Sequence, residues 1–262
     1  MPTDDRSEVA KGIFTRPILP DGGRGASTVS CMTTPSDPGR ASSTWRADHP
    51  WAVVYDRISG DDRLGALLWR VGVGSSLSEL HDRARGALLQ AGSAATVLDI
   101  PCGGGVVLRD VPKAFAGRYV AADISPAMLQ RTADEAQRLG LQHVETTEAD
   151  VQALAFDEAT FDLVVAFTSL HCFPDPALAL REIARVLKPG GRLSGSAFLN
   201  DAGLRFTPVI LAGRALGLLG PSGTREDLRG WLAEAGLDDV EITRAGGLTY
   251  FSGQKPKGSP DA

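Results

Sequence analysis

Residues 97–105 read Val-Leu-Asp-Ile-Pro-Cys-Gly-Gly-Gly, an apolar run that breaks into a cluster of glycines. Eighteen residues beyond Gly105, Asp123 closes a second apolar run, Tyr119-Val-Ala-Ala. A buried strand entering a glycine turn, with an acid at the end of the next strand, constrains the chain to an open α/β sheet. In such a sheet a ligand carrying a nucleoside binds beyond the strand carboxyl ends. A dinucleotide turn of the form G-x-G-x-x-G would need a third glycine where this chain has Leu108. The pattern acid-x-G-x-G-x-G fits better, with Asp99 on the strand, Gly103 and Gly105 in the turn, and Pro101 where glycine is usual.

This stretch resembles motif I of the class I S-adenosylmethionine-dependent methyltransferases, and five further segments agree with the resemblance in the family's order. They are Tyr119-Val-Ala-Ala-Asp123-Ile-Ser-Pro-Ala-Met128-Leu129, then Ala149-Asp150-Val151 followed by Phe156 and Phe161-Asp162. Next come Phe161 to Phe167 with Ser169-Leu-His-Cys-Phe173 behind them, Leu187-Lys-Pro-Gly-Gly-Arg-Leu193, and Trp231-Leu-Ala-Glu-Ala-Gly236-Leu237. A lone glycine motif is weak, whereas an ordered set is specific. The resemblance covers about residues 51–256 and is similar in particular to the small-molecule type of ubiquinone and menaquinone biosynthesis. It implies a Rossmann-like, doubly wound, seven-stranded α/β sheet, mostly parallel with an antiparallel last strand, plus helical lid segments.

The rest of the pattern divides the chain accordingly. Residues 1–50 hold six prolines among many Gly, Ser and Thr with no sustained period, and read as a disordered arm within which Met32 is an alternative start. The methyltransferase domain is expected over 51–262, with a flexible tail at 253–262. Alternation from Thr96 onward predicts strands near 96–101, 118–122, 143–148, 161–167, 191–198, 239–243 and 248–253. Two segments fall outside it, the amphipathic 51–92 and the apolar 200–222 with Val209, Ile210, Leu211, Leu216, Leu218 and Leu219. Both are expected to reach the ligand edge of the sheet as lids.

Each site residue then has an expected role. Gly103 and Gly105 let the cofactor lie against the backbone, and a turn entering a helix would offer N–H groups to its carboxylate. Pro101 and Cys102 belong to that turn, where the resemblance implies that a backbone carbonyl accepts from the cofactor's ammonium. The resemblance also implies that Asp99 orients the turn, Asp123 accepts both ribose hydroxyls, and Ile124 and Met128 flank the adenine. Asp150 and the backbone of Val151 would read the adenine edge, and Phe167 opens the loop that faces the donor methyl. His171 is the general-base candidate, because imidazole titrates near neutrality. Tyr55 and Arg57 sit in a Tyr-Asp-Arg stretch for which the resemblance implies an aromatic lying over the cofactor, with a purely structural role as the alternative.

Composition excludes several classes. A net charge of −5 argues against a broad nucleic-acid footprint, and no apolar run approaches a membrane span. Three cysteines, Cys31, Cys102 and Cys172, leave one unpaired and show no metal-ligand spacing, so reduced thiols and a cytoplasmic home are expected. The reading is methyl transfer from S-adenosylmethionine to a small hydrophobic or amphipathic acceptor such as a quinone, phenol, polyketide or lipid, with a homodimer left open. The alternatives are an NAD(P)-dependent oxidoreductase and a non-catalytic cofactor-binding partner protein.

Overall fold

A computed structural model describes residues 63–258 of the chain. The arm at 1–50, Met32, Cys31, Tyr55, Arg57 and the first part of the 51–92 segment lie outside the described residues. Among the described residues two helices come first, α1 (Arg63–Gly72) and α2 (Leu77–Ala91). The Ser76 side chain caps α2 by accepting from the Glu79 N–H, and Leu77, Leu80, Ala84 and Leu88 turn inward at helical spacing.

The sheet has seven strands in the order β3-β2-β1-β4-β5-β7-β6. They are β1 (Thr96–Asp99), β2 (Arg118–Asp123), β3 (Val144–Glu148), β4 (Phe161–Ala166), β5 (Leu187–Phe198), β6 (Asp238–Ala245) and β7 (Leu248–Gln254). The pairs of β1 with β2 and β4, of β2 with β3 and of β4 with β5 are parallel, while β7 runs antiparallel between β5 and β6. The expected fold class is therefore present.

Side chains alternate between two cores, as a period of two requires. On one face Leu98, Val120 and Val164 pack with Phe161 beneath α4 (Pro176–Val186) and α6 (Arg225–Glu234). On the other, Val97, Tyr119, Ala121, Leu163 and Val165 pack with Leu80, Ala84 and Leu88 of α2. Asp175 caps α4 by accepting from the Leu178 N–H ahead of Pro176, and Thr224 with Asp227 forms a reciprocal capping box on α6.

Three local expectations are corrected. The turn after β1 does not enter an α-helix: only a five-residue 3₁₀ turn, Val106–Asp110, precedes Val111 and Pro112. Three valines within six residues, stiff at χ1, and a proline that cannot donate leave no room for an α-helix there. Strand β5 begins at Leu187 rather than 191, because Leu187 already pairs with Phe161 and the register shifts after it. Gly191 makes that bend passable, since a Cβ there would stand 2.9 Å from the Lys188 carbonyl oxygen and 3.0 Å from that of Phe161. The tail also starts later than expected: Gly253 and Gln254 belong to β7, and Lys255 donates through Nζ to the carbonyls of Arg185 and Leu187.

Candidate functional site

A cavity opens beyond the carboxyl ends of β1, β2 and β4, where an open parallel sheet places its ligand. Its lining brings together Asp99, Pro101, Cys102, Gly103, Asp123, Ile124, Met128, Asp150, Val151, Phe167 and His171, all expected from the sequence. Gly105 is not among the lining residues; its left-handed φ of +82° and its packing near Leu108 and Thr132 set the course of the turn's backbone. Leu80 of α2 and Leu218 and Leu219 of the 200–222 segment complete the wall.

The turn is held from two directions. Asp123 accepts the Gly103 N–H on Oδ2 at 2.9 Å and the Ser125 N–H on Oδ1 at 2.9 Å, so one carboxylate ties the glycine turn to the start of α3 (Pro126–Leu139). From within α3, the Thr132 hydroxyl donates to the Gly103 carbonyl at 2.7 Å. Gly103 itself has φ +53°, and a Cβ built there would meet nothing within 4 Å, so its open side faces the cavity. A cofactor can rest on this bare backbone. Within the turn the Cys102 N–H donates to the Ala122 carbonyl, Gly103 to Asp123 and Gly105 to the Cys102 carbonyl, and the short 3₁₀ segment offers an anion little of a helix dipole.

Asp99 lies at the end of β1, buried, and accepts from the Tyr119 hydroxyl at 2.9 Å. Burial pushes its carboxyl up to about 7; the Tyr119 bond opposes that and the nearby Asp123 charge adds to it. Burial likewise raises Asp123, against the pull of the Ser125, Gly103 and Ile124 amides. Two buried carboxyls held above their usual range beside a bare glycine turn are suited to a ligand bearing an ammonium and a diol. Each Asp123 oxygen already holds one backbone N–H and keeps capacity for a hydroxyl donor.

A stability prediction follows for the free protein. A carboxyl whose folded pKa exceeds its unfolded value binds its proton more tightly when folded. Its contribution is present at low pH and falls as pH rises from about 4 toward about 7. Asp99→Asn should flatten that part of the stability profile in urea titrations at several pH values, and an unchanged slope would count against it.

Beyond β4 the chain turns sharply. Thr168 adopts φ +50°, costly for a β-branched residue, and is fixed where its N–H donates to the Ser196 hydroxyl at 2.9 Å. His171 follows in a 3₁₀ turn, Leu170–Cys172, and is buried. Its Nδ1 accepts the Phe198 N–H at 3.1 Å, and its ring stands edge-on to Phe198 at 5.6 Å. Burial lowers its imidazole to about 4. Two features weigh on the general-base expectation: one ring nitrogen accepts from a backbone donor, and burial disfavours the imidazolium. Cys172 beside it is a thiol pushed up by burial to about 12, and Cys102 is raised as well, so neither serves as a nucleophile at neutral pH.

The 200–222 segment contributes less wall than expected. Leu204, Val209, Leu211 and Leu216 are exposed, Ile210 of α5 (Thr207–Ala215) packs with Ala202 and Phe206, and Leu218 and Leu219 reach the cavity. Tyr119, Thr132 and Thr168 are contributors that sequence reasoning missed. Among the described residues no helix is long and apolar enough to cross a membrane.

Residues 98–194 match a sequence family described as "Methyltransferase domain". The ubiquinone biosynthesis O-methyltransferase of Xanthomonas axonopodis pv. citri (strain 306) is 30% identical over 165 residues, 60% of this chain and 66% of that protein. The chain thus spans just under two thirds of that relative's length. The 27-O-demethylrifamycin SV methyltransferase of Amycolatopsis mediterranei (strain S699) is 37% identical over 124 residues, 47% of this chain and 45% of that one. Among solved structures, geranyl diphosphate methyltransferase in complex with GPP and sinefungin superimposes with a TM-score of 0.62 at 16% identity, covering 83% of this chain and 99% of that one. That likeness speaks for the fold.

Proposed function

We propose that this chain, which carries the class I S-adenosylmethionine-dependent methyltransferase domain, transfers a methyl group to a small hydrophobic or amphipathic acceptor. The observation that carries the reading is the turn at 101–105, bare at Gly103 and clamped by Asp123 and Thr132, opening into a largely apolar cavity.

Bound S-adenosylmethionine would supply a methyl already activated by its sulfonium. The chain's own residues then have three tasks. Asp99, buried at the end of β1, would meet the ammonium end, whose positive charge favours the ionised carboxylate. Asp123 would accept from the ribose hydroxyls, with Ile124 and Met128 beside the adenine and Asp150 and Val151 at its edge. Phe167, Phe173, Leu218 and Leu219 would exclude water around the acceptor, so that alignment supplies much of the rate.

Support for an apolar acceptor comes from these four side chains and from the curated relatives, whose names carry a ubiquinone and a rifamycin. The test has two parts. Calorimetry should show S-adenosylhomocysteine binding more tightly than NAD or NADP; tighter dinucleotide binding would sink the reading. A labelled-methyl screen against phenols, quinols and fatty acids should then find label on at least one of them, and none on any would argue for a binding protein instead.

A further inference from the structure

The ring of His171 has a fixed orientation that the methyl-transfer reading leaves unused. A backbone N–H can only donate, so the contact from Phe198 requires Nδ1 to be the bare nitrogen. In the neutral ring the proton therefore sits on Nε2, and no hydrogen bond to a described residue occupies that atom. The side chain lines the cavity with Phe167, Phe173 and Leu218, while its carbonyl accepts the Gly220 N–H at 2.7 Å. His171 thus brings to the cavity lining a ring whose N–H, at Nε2, has a set tautomer, with Phe167, Phe173 and Leu218 as apolar neighbours in that lining.

Resting on that reading, we propose that His171 donates from Nε2 to an acceptor oxygen that arrives ionised, so that this chain selects carboxylates and acidic phenols or enols as methyl acceptors. An ordinary phenol ionises near pH ~10, and the protonated Nε2 has no lone pair with which to take its proton. Burial holds the imidazole at about 4, so the ring stays neutral through the neutral range. No neighbouring charge contributes to that shift. The titratable groups facing the same cavity are Cys172 on its own turn, Asp99 at the end of β1, Cys102 after it, Asp123 at the end of β2, and Asp150. Residues 194–198 of β5 and 216–220 carry none. The transfer balances without a proton: the anionic oxygen supplies the pair for the new O–CH₃ bond, and the C–S pair remains on sulfur.

The probe is 4-nitrophenol, an acidic phenol whose anion absorbs visible light, added to the full chain loaded with sinefungin. At a pH below the phenol's own pKa, binding should raise the phenolate band, lowering the bound phenol's apparent pKa. His171→Ala should weaken phenolate binding roughly tenfold to a hundredfold, the range for a hydrogen bond to a charged group. His171→Gln, which has a carbonyl for Phe198 and an N–H for the cavity but no basicity, should keep most of it. Sinefungin affinity and circular dichroism should stay constant across all three proteins. Binding of the neutral phenol, no binding, or an unchanged band in His171→Ala overturns the assignment. Failure of sinefungin itself to bind would instead condemn the methyl-transfer reading beneath it. With turned-over acceptors of graded acidity, the break in the pH profile of kcat/KM should move with each acceptor's pKa. A break that stays fixed for every acceptor marks a protein base and overturns the proposal.

Discussion

Asp123→Ala is expected to bind S-adenosylhomocysteine at least about tenfold more weakly, since a hydrogen bond to a charged group contributes about 1.5–3 kcal/mol. The loss has two sources. The carboxylate's capacity toward a ribose diol goes, and so does the clamp that accepts the Gly103 and Ser125 N–H groups and keeps the turn in its binding shape. Asp123→Asn makes a sharper version of the test. Both oxygens accept from backbone donors, and an amide can serve only one of them, leaving its NH₂ opposed to an N–H. The asparagine variant should therefore recover little of the lost affinity. Calorimetry on both variants, with far-ultraviolet circular dichroism to confirm folding, checks this; full affinity in either removes Asp123 from the site.

Phe161→Ala should cost about 3–5 kcal/mol of stability, the usual range for deleting a buried ring. Phe161 is fully buried at the start of β4, edge-on to Phe156 at 5.1 Å, and belongs to the core beneath α4 and α6. Its removal leaves a cavity bordered by backbone that is already bent by the register shift to β5, where relaxation is restricted. The check is the urea midpoint at unchanged m-value, and a loss under about 1 kcal/mol would mean that the site collapses freely. Because Phe161 sits at the opposite end of β4 from the cavity, cofactor affinity of the folded protein should be preserved.

What could be read from residue order was whatever local patterning controls. Strands β1, β2 and β4 are buried on both faces and appear as nearly continuous apolar runs, and the acids at Asp99 and Asp123 mark where the first two end. Asp175-Pro176 and Thr224 with Asp227 announce their helices because capping is a contact within one turn. What stayed hidden depends on partners distant in sequence. Tyr119 looks like any core aromatic until its hydroxyl is found on Asp99, twenty residues away. Thr132 is an ordinary helical threonine until it meets the Gly103 carbonyl. The tautomer of His171 stayed hidden for the same reason: the residue type suggests a base, and the Phe198 amide, 27 residues on, decides which nitrogen carries the proton.

Strand β7 has a consequence for how such a chain is made. It is the last of the seven strands in sequence, yet it lies inside the sheet and joins β5 to β6. Until residues 248–254 emerge from the ribosome, β5 presents an open hydrogen-bonding edge and β6 has no neighbour. Synthesis thus passes through a stage in which the emerging chain can pair with another copy of itself. Chaperone dependence should peak in that interval, and cleavage before Leu248 would release a product prone to aggregate rather than a smaller folded domain.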